Sequence, residues 1–260
     1  MSDFLTIDGN LRAAMRFFGE ASGSGEVREL DGSIAIFSGL DYGVFNIALL
    51  TSPARGGQLQ PRLEDVAKFF RERTLRWSFW LCDDLLDPAA ARRERQTFLN
   101  YGMRVISHPP GMLAEALAPP ARQLPEIECR PVCDAQSRAA FAELTSISFD
   151  IPYMIARAVY TREQAWRGDY RGFVGVTQGQ VVATVAMVAA GDAIGVYSLA
   201  TVPAFRRRGY GEALLRAAAL EMTARTGLRR LVLQSTEAGY SLYRRMGFRD
   251  VTKFTVYLTK

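Results

Sequence analysis

The residues best suited to chemistry lie between Val196 and Phe248. An apolar run, Val196 to Val202, ends at Pro203 and leads into Arg206-Arg207-Arg208-Gly209-Tyr210-Gly211-Glu212. Ala213 to Thr226 then continues without a helix breaker. Strand, glycine-bearing turn and helix, in that order, make an anion site. The first N–H groups of a helix have no intrahelical partner and carry partial positive charge, so they can donate to a phosphate. Gly209 and Gly211 remove side chains that would hold a ligand away from the backbone. Arg206, Arg207 and Arg208 add cations beside it. An ordinary loop with a solvated basic edge has the same composition. Neither familiar phosphate loop matches, because no Gly-Lys-Ser/Thr follows and the third glycine of the dinucleotide fingerprint is absent.

The downstream residues decide between these readings. Leu231 to Gln234 reads as another strand, Ala238 to Arg245 as a short helix, and Val251 to Leu258 as a last strand. Arg206-x-x-Gly209-x-Gly211 resembles the pyrophosphate-binding signature Arg/Gln-x-x-Gly-x-Gly/Ala of the GNAT acyltransferase superfamily. Tyr243-Arg-Arg-Met-Gly247-Phe248 resembles that superfamily's Tyr-x-x-x-Gly-Phe ending. The resemblance spans residues 126–260. It implies an α/β (α+β) fold, with a mixed, mostly antiparallel sheet flanked by helices.

The implied reaction moves an acyl group from acetyl-CoA, or another acyl-CoA, to an amine of a small-molecule or peptide acceptor. The resemblance places Leu199, Ala200, Thr201 and Val202 along the pantetheine arm and thioester, on a strand splayed from its neighbour. It places Arg206, Arg207, Arg208, Gly209, Tyr210, Gly211 and Glu212 around the pyrophosphate, with Ser235 and Thr236 as further coenzyme contacts. Tyr243 is implied as the general acid that protonates the departing thiolate. A phenol of pKa ~10 facing a thiol of pKa ~8.5 is matched for that transfer. The bland alternative for Tyr243 is a core tyrosine with a satisfied hydroxyl. The acceptor is expected against Phe149, Asp150 and Tyr153. The family's usual base position holds Gln234, which cannot accept the amine's proton, so water, Asp150 and Glu237 stay open as the base. A sensor that binds acyl-CoA without turnover, and an assembly module, are the competing classes.

Composition narrows the partners. The net charge of +5 comes almost wholly from arginine, since Lys68, Lys253 and Lys260 are the only lysines. That balance suits an anionic coenzyme, and no nucleic-acid motif accompanies it. Met1 to Glu20 carries charges throughout, and the most apolar window, Val181 to Ala190, is strand-length. These features read as a cytoplasmic protein with no membrane partner. Cys82, Cys129 and Cys133 are an odd count, which argues against a disulfide framework. Cys129-x-x-x-Cys133 lacks a histidine nearby, so free thiols are expected and no metal.

The elements ahead of this region follow from local signals. A short first helix is expected, then a polar loop from Phe17 to Gly32. Ile34 to Ser38 and Val44 to Leu50 read as strands around the turn Gly39–Gly43. Pro61 suits a helix first turn, with Leu63, Val66, Phe69 and Phe70 on one face. Arg76 to Cys82 reads as a strand, Asp87 as the cap of a helix beginning at Pro88, and Met103 to Ser107 as a strand. Tyr101-Gly102-Met103 thus echoes Met246-Gly247-Phe248, each between a helix and a strand. Residues 1–118 are therefore expected to be a partial GNAT-like domain without its own Arg-x-x-Gly-x-Gly turn. Residues 119–125, rich in proline, read as a linker. In residues 126–260, Ile127 to Val132 reads as a strand and Asp134 as a helix cap. Ile151 to Tyr160 reads as a second helix, followed by strands at Gly172 to Val176 and Val181 to Ala190.

Overall fold

The apolar runs become strands of a single 12-stranded sheet, and the segments between them become helices that bury its two faces. The computed structural model describes residues 2–21, 23–73 and 75–260. In chain order the first part contains α1 (Asp3–Ala21), β1 (Glu26–Leu30), β2 (Ser33–Phe37), β3 (Ile47–Leu50) and α2 (Leu59–Arg71). It continues with β4 (Ser78–Cys82), α3 (Pro88–Asn100), β5 (Met103–Ser107) and β6 (Pro110–Ala114). The second part contains β7 (Glu128–Pro131), α4 (Ala135–Phe149), α5 (Tyr153–Tyr160), β8 (Tyr170–Thr177), β9 (Gln180–Ala190) and β10 (Ala193–Thr201). It ends with α6 (Tyr210–Thr226), β11 (Arg230–Gln234), α7 (Glu237–Arg245) and β12 (Arg249–Thr259).

Local chemistry sets many of these boundaries. The Asp87 carboxylate accepts from the N–H groups of Ala89 and Ala90, with Pro88 at the first helical position. Asp134 and Ser137 form a reciprocal cap at the start of α4. Each satisfies donors that a helix start leaves orphaned. Two local expectations give way to packing. The helix continues past Phe17 to Ala21, because Phe17 stacks on Tyr170 with ring centroids 4.0 Å apart and Phe18 stacks on Phe45. Glu26–Leu30 then pairs with β2 as a hairpin, so the expected loop shrinks to a short turn, in which Ser22 lies outside the described residues. The second difference is β6, which the run Pro109-Pro110-Gly111 hides in the sequence. Pro110 is tolerated because it opens the strand, where its missing N–H breaks no ladder.

The strand order is β1-β2-β3-β4-β12-β6-β11-β10-β9-β8-β7, with β5 joined to β12. Among the named strands, β3 with β4 and β10 with β11 are the parallel pairs, each bridged by a helix; the other pairings are antiparallel. The two parts exchange their last strands. β6 lies between β11 and β12, with Leu233 opposite Met112 and Asp250 opposite Met112 on its other side. β12 pairs with β6 over Arg249 to Lys253 and then with β4 over Phe254 to Leu258. A strand from residues 1–118 is therefore central to the sheet of the second part.

Two cores result. On one face, α6 and α7 set Leu214, Leu215, Met222 and Met246 against Met112, Val185 and Leu233. On the other, α1 buries Ile7, Leu11 and Ala14 in a core that also takes Phe141, Tyr160 and Trp166 and spans both parts. Asn10 fixes α1 in place: its Nδ2 donates to the carbonyls of Val188 and Ala193, each at 3.1 Å, and its Oδ1 accepts from the Tyr197 hydroxyl at 2.8 Å. At the start of α1, Asp3 accepts from Arg230 and Arg249, and Arg230 also reaches Asp192 and Glu115.

Residues 119–260 expressed alone lose both α1 and β6. Each large apolar side chain uncovered costs about 1.5–3 kcal/mol, and the main chains of β11 and β12 lose their shared partner. This fragment is expected to aggregate, or to show no cooperative thermal transition by circular dichroism. A soluble fragment melting like the full chain would disprove the dependence. In the full chain, Leu11→Ala is expected to cost about 2–5 kcal/mol in chemical denaturation.

Candidate active site

The site begins where two strands separate. β10 pairs with β11 only from Ala193 to Gly195, against Arg230 to Val232. Beyond Gly195 the β11-facing main chain of β10 has no strand partner among the described residues. On its other edge, the register with β9 shifts between Tyr197 and Ala200, and Ser198 takes a left-handed φ of 48°. That bulge is held by hydrogen bonds. Thr184 Oγ1 donates to the Ser198 carbonyl at 3.1 Å, and the Ser198 hydroxyl lies 3.0 Å from that of Tyr170. Unpaired main-chain donors at a strand edge are available to a ligand.

The turn after β10 is shaped by its glycines. Gly209, at φ 96°, stands at the N-cap of α6 and supplies no side-chain cap, so the first N–H groups of that helix stay free. A Cβ on Gly211 would lie 2.9 Å from Thr201 Oγ1, and one on Gly209 would lie 3.0 Å from Pro125 Cδ. Larger residues would fill this cradle. The three arginines of the turn do different things. Arg206 Nε donates to the Thr201 carbonyl at 3.0 Å and ties the turn to the strand end. Arg207 has a left-handed φ of 61°, and its carbonyl accepts from Arg122 Nη2 at 3.1 Å. The Arg208 guanidinium sits over the rings of Phe205 and Tyr210, 5.3 and 5.6 Å from their centroids.

A cavity of about 850 Å³ connects the parted strands, the turn and α7. It brings together Leu199, Ala200, Thr201, Arg206, Arg207, Gly209, Tyr210, Gly211, Glu212, Thr236, Tyr243 and Phe149. Val202, Arg208, Ser235, Asp150 and Tyr153 do not line it. Ser235 turns inward: its hydroxyl donates to the Thr236 carbonyl and its N–H to Pro110, leaving it 1% exposed. Asp150 is the left-handed cap of α4; burial, and then the charge of Asp150, raise the pKa of Tyr42. Thr236 caps α7 by accepting from the Gly239 N–H.

The cavity also includes residues the sequence reading passes over. Ala238, Leu242 and Arg245 recur at i, i+4 and i+7 along α7, a periodicity legible once that helix is placed. Arg122 and Ser148 come from distant segments and carry no local signal.

Tyr243 is 8% exposed, its ring set edge-on to Phe248. Its hydroxyl has no hydrogen-bond partner among the described residues, and burial pushes its pKa well above the ordinary tyrosine value. The phenol therefore stays protonated, as a proton donor requires. Gln234, at the end of β11, has a buried Nε2 without a partner. Glu212 is bound by Arg216 one turn along α6. The cysteines are free thiols; burial pushes Cys82 up to about 11 and Cys129 up to about 12. Among the described residues, no group of three His, Cys, Asp or Glu side chains is placed to hold a metal ion. No described helix is long and apolar enough to cross a membrane.

Comparison with known proteins agrees with this geometry. Residues 168–250, from β8 to the start of β12, match the family model described as Acetyltransferase (GNAT) domain. The chain thus carries a GNAT domain. A GCN5-related N-acetyltransferase from Kribbella flavida superposes with a TM-score of 0.73 at 18% identity, covering 100% of this chain and 96% of that one. A conserved protein of unknown function from Staphylococcus epidermidis gives 0.63 at 13% identity, covering 89% of this chain and 92% of the other. A GCN5-related N-acetyltransferase from Sphaerobacter thermophilus gives 0.61 at 18% identity, covering 88% and 76%. These likenesses establish the fold. No curated protein matches the sequence. The family supports an acyl-CoA-dependent acyltransferase in general terms.

Gly209→Asp and Gly211→Asp test the turn, because each puts a side chain and a negative charge into the cradle. Acetyl-CoA affinity by calorimetry is expected to fall at least about tenfold, from like-charge repulsion and lost space. Undiminished binding in folded variants would remove the turn from the site.

Proposed function

We propose that this protein is an N-acyltransferase that transfers acetyl from acetyl-CoA to an amine of a small-molecule or peptide acceptor by direct attack. The observation that carries the reading is one cavity joining three features: the free strand edge beyond Gly195, the uncapped start of α6, and the protonated Tyr243. The α6 N–H groups and Arg207 hold the pyrophosphate. Main-chain groups of Leu199 to Thr201 align the pantetheine arm, and one N–H of this edge donates to the carbonyl oxygen as negative charge develops on it. The neutral amine nitrogen forms a bond to the carbonyl carbon, the carbon–sulfur bond breaks, the sulfur takes the electron pair and the Tyr243 proton, and the proton that the nitrogen then gives up passes to water, from which the phenol is restored. The phenol's raised pKa makes it a weaker acid, but the thiolate forms in the same dry surroundings, which raise its basicity too.

An amine of pKa ~10 must first lose a proton. Among the described residues, Glu212 is the cavity's only carboxylate, and Arg216 holds it. Water in the cavity is therefore our base. The same shortage of free carboxylates is the observation that favours the alternative, a non-catalytic acyl-CoA sensor. Coenzyme binding without transfer to any member of a broad amine panel would support that alternative.

We also propose that residues 1–118 are a degenerate GNAT-like half, residues 119–125 a linker, and residues 126–260 the active half. The repeated order of parallel strands, helix and exchanged last strand supports this. Phe98 stands four residues before Gly102, as Tyr243 stands four before Gly247, and a phenyl ring has no proton to give.

Tyr243→Phe is expected to keep acetyl-CoA affinity and lower kcat by ~10²–10⁴-fold, the range for a lost general acid. Full kcat in that variant would exclude Tyr243 as the acid. The pH profile supplies a second check. Because the Tyr243 pKa is raised, its protonated form persists above pH ~10, so no basic limb should arise from it below that pH. Initial rates should instead climb with pH as the acceptor amine loses its proton. A fall in rate between about pH 8 and 9.5 that Tyr243→Phe abolishes would contradict this assignment.

A further inference from the structure

The turn's own cations do not account for the whole cavity. Arg206 is tied to Thr201, and Arg208 stacks over Phe205 and Tyr210 outside the cavity lining. Arg206 and Arg207 are what remains of that cluster inside it, and Arg206 has its Nε committed to the strand end. A coenzyme A molecule brings two anionic groups: the pyrophosphate, and a 3′-phosphate monoester carrying about −1.5 to −2 charges at neutral pH. The first is served by the α6 N-terminus. The second needs a further cation.

The path through the cavity shows where that cation should stand. The absent Cβ of Gly211 faces Thr201, at the end of the parted strand. The absent Cβ of Gly209 faces the other way, toward Pro125, Leu124 and, at 3.5 Å, Arg122 Nη2. A coenzyme with its thioester at the strand edge and its pyrophosphate at the start of α6 leaves the turn on the Gly209 side. Arg122 lines the cavity there, exposed, on the segment between the two parts of the chain. One of its nitrogens is used on the Arg207 carbonyl. A guanidinium has five N–H donors in a planar fork, so donors remain for a phosphate.

We propose that Arg122 binds the 3′-phosphate of the coenzyme, an assignment that rests on the acyl-CoA reading above. In this role the linker segment is a strap that closes over the outer end of the coenzyme. Arg122 also steadies the left-handed Arg207, so its purely structural contribution must be separated from phosphate binding.

Calorimetry with coenzyme A and 3′-dephospho-coenzyme A, at one fixed ionic strength, separates them. The parent protein is expected to bind coenzyme A at least about tenfold more tightly, the scale of one charge-assisted hydrogen-bonded pair. Arg122→Met should erase that preference while leaving 3′-dephospho-coenzyme A affinity nearly unchanged, and Arg122→Lys should restore part of it. An equal loss for both coenzymes would show that Arg122 only shapes the turn and would overturn the proposal. A preference kept in Arg122→Met but lost in Arg245→Met would assign the phosphate to α7 and overturn it likewise. A parent that binds neither coenzyme would overturn the acyltransferase reading together with this one. A parent that binds both equally would overturn this one alone.

Discussion

The hydrogen bonds that β10 does not make with β11 after Gly195 govern the rest of the site. A buried main-chain N–H or carbonyl without a partner is costly, so strands in a core stay paired unless something replaces the partner. Here the bulge at Ser198, held by Thr184 and Tyr170, opens the strand edge and turns it toward a cavity. The opening cannot close by register slip, because Ala193 to Gly195 remain locked to Arg230 to Val232. α1 reinforces that lock through Asn10 and Asp3, which bind the same strands at their paired ends.

This places a structural duty on the first part of the chain. It supplies β6, the strand between β11 and β12, and α1, which covers the face opposite α6. β11 carries Gln234 and leads into the α7 cap at Thr236, so its position sets that of Tyr243. The bonding of β11 to β6 therefore reaches the cavity through Thr236 and α7. The exchange of last strands also removes two sheet edges that would otherwise stand open to aggregation.

Arginine dominates the electrostatics, and the individual arginines are distinguished by what their neighbours leave free. Arg230 pairs with Asp3, Asp192 and Glu115 and serves to join elements. Arg206 and Arg208 shape the turn, one by a hydrogen bond and the other by lying over aromatic rings. Arg207, Arg122 and Arg245 line the cavity, as does Arg206 with its Nε committed. Identical side chains two residues apart thus differ in role because the left-handed φ of Arg207 sends the chain in a new direction between them.

What the sequence determined by itself is the part governed by short-range chemistry. Asp87-Pro88 and Asp134 start helices because their side chains bond the nearest free N–H groups. The glycine spacing before α6, and Tyr243 four residues before Gly247, place an uncapped helix start and a phenol at predictable points. Tertiary structure decided whatever depends on partners far along the chain. Pro109-Pro110 conceals β6, whose identity as a strand comes from pairing with residues more than a hundred positions away. Phe17 to Ala21 is helical because Tyr170 and Phe45 receive its rings, not because of its own propensities. Ser235 faces inward because β6 captures its N–H, and Arg122 reaches the cavity because its segment lies against the turn. A capping bond closes within a few residues and can be read locally. Strand exchange and a shared core bring together residues whose types are compatible with many partners, and only the folded chain selects among them.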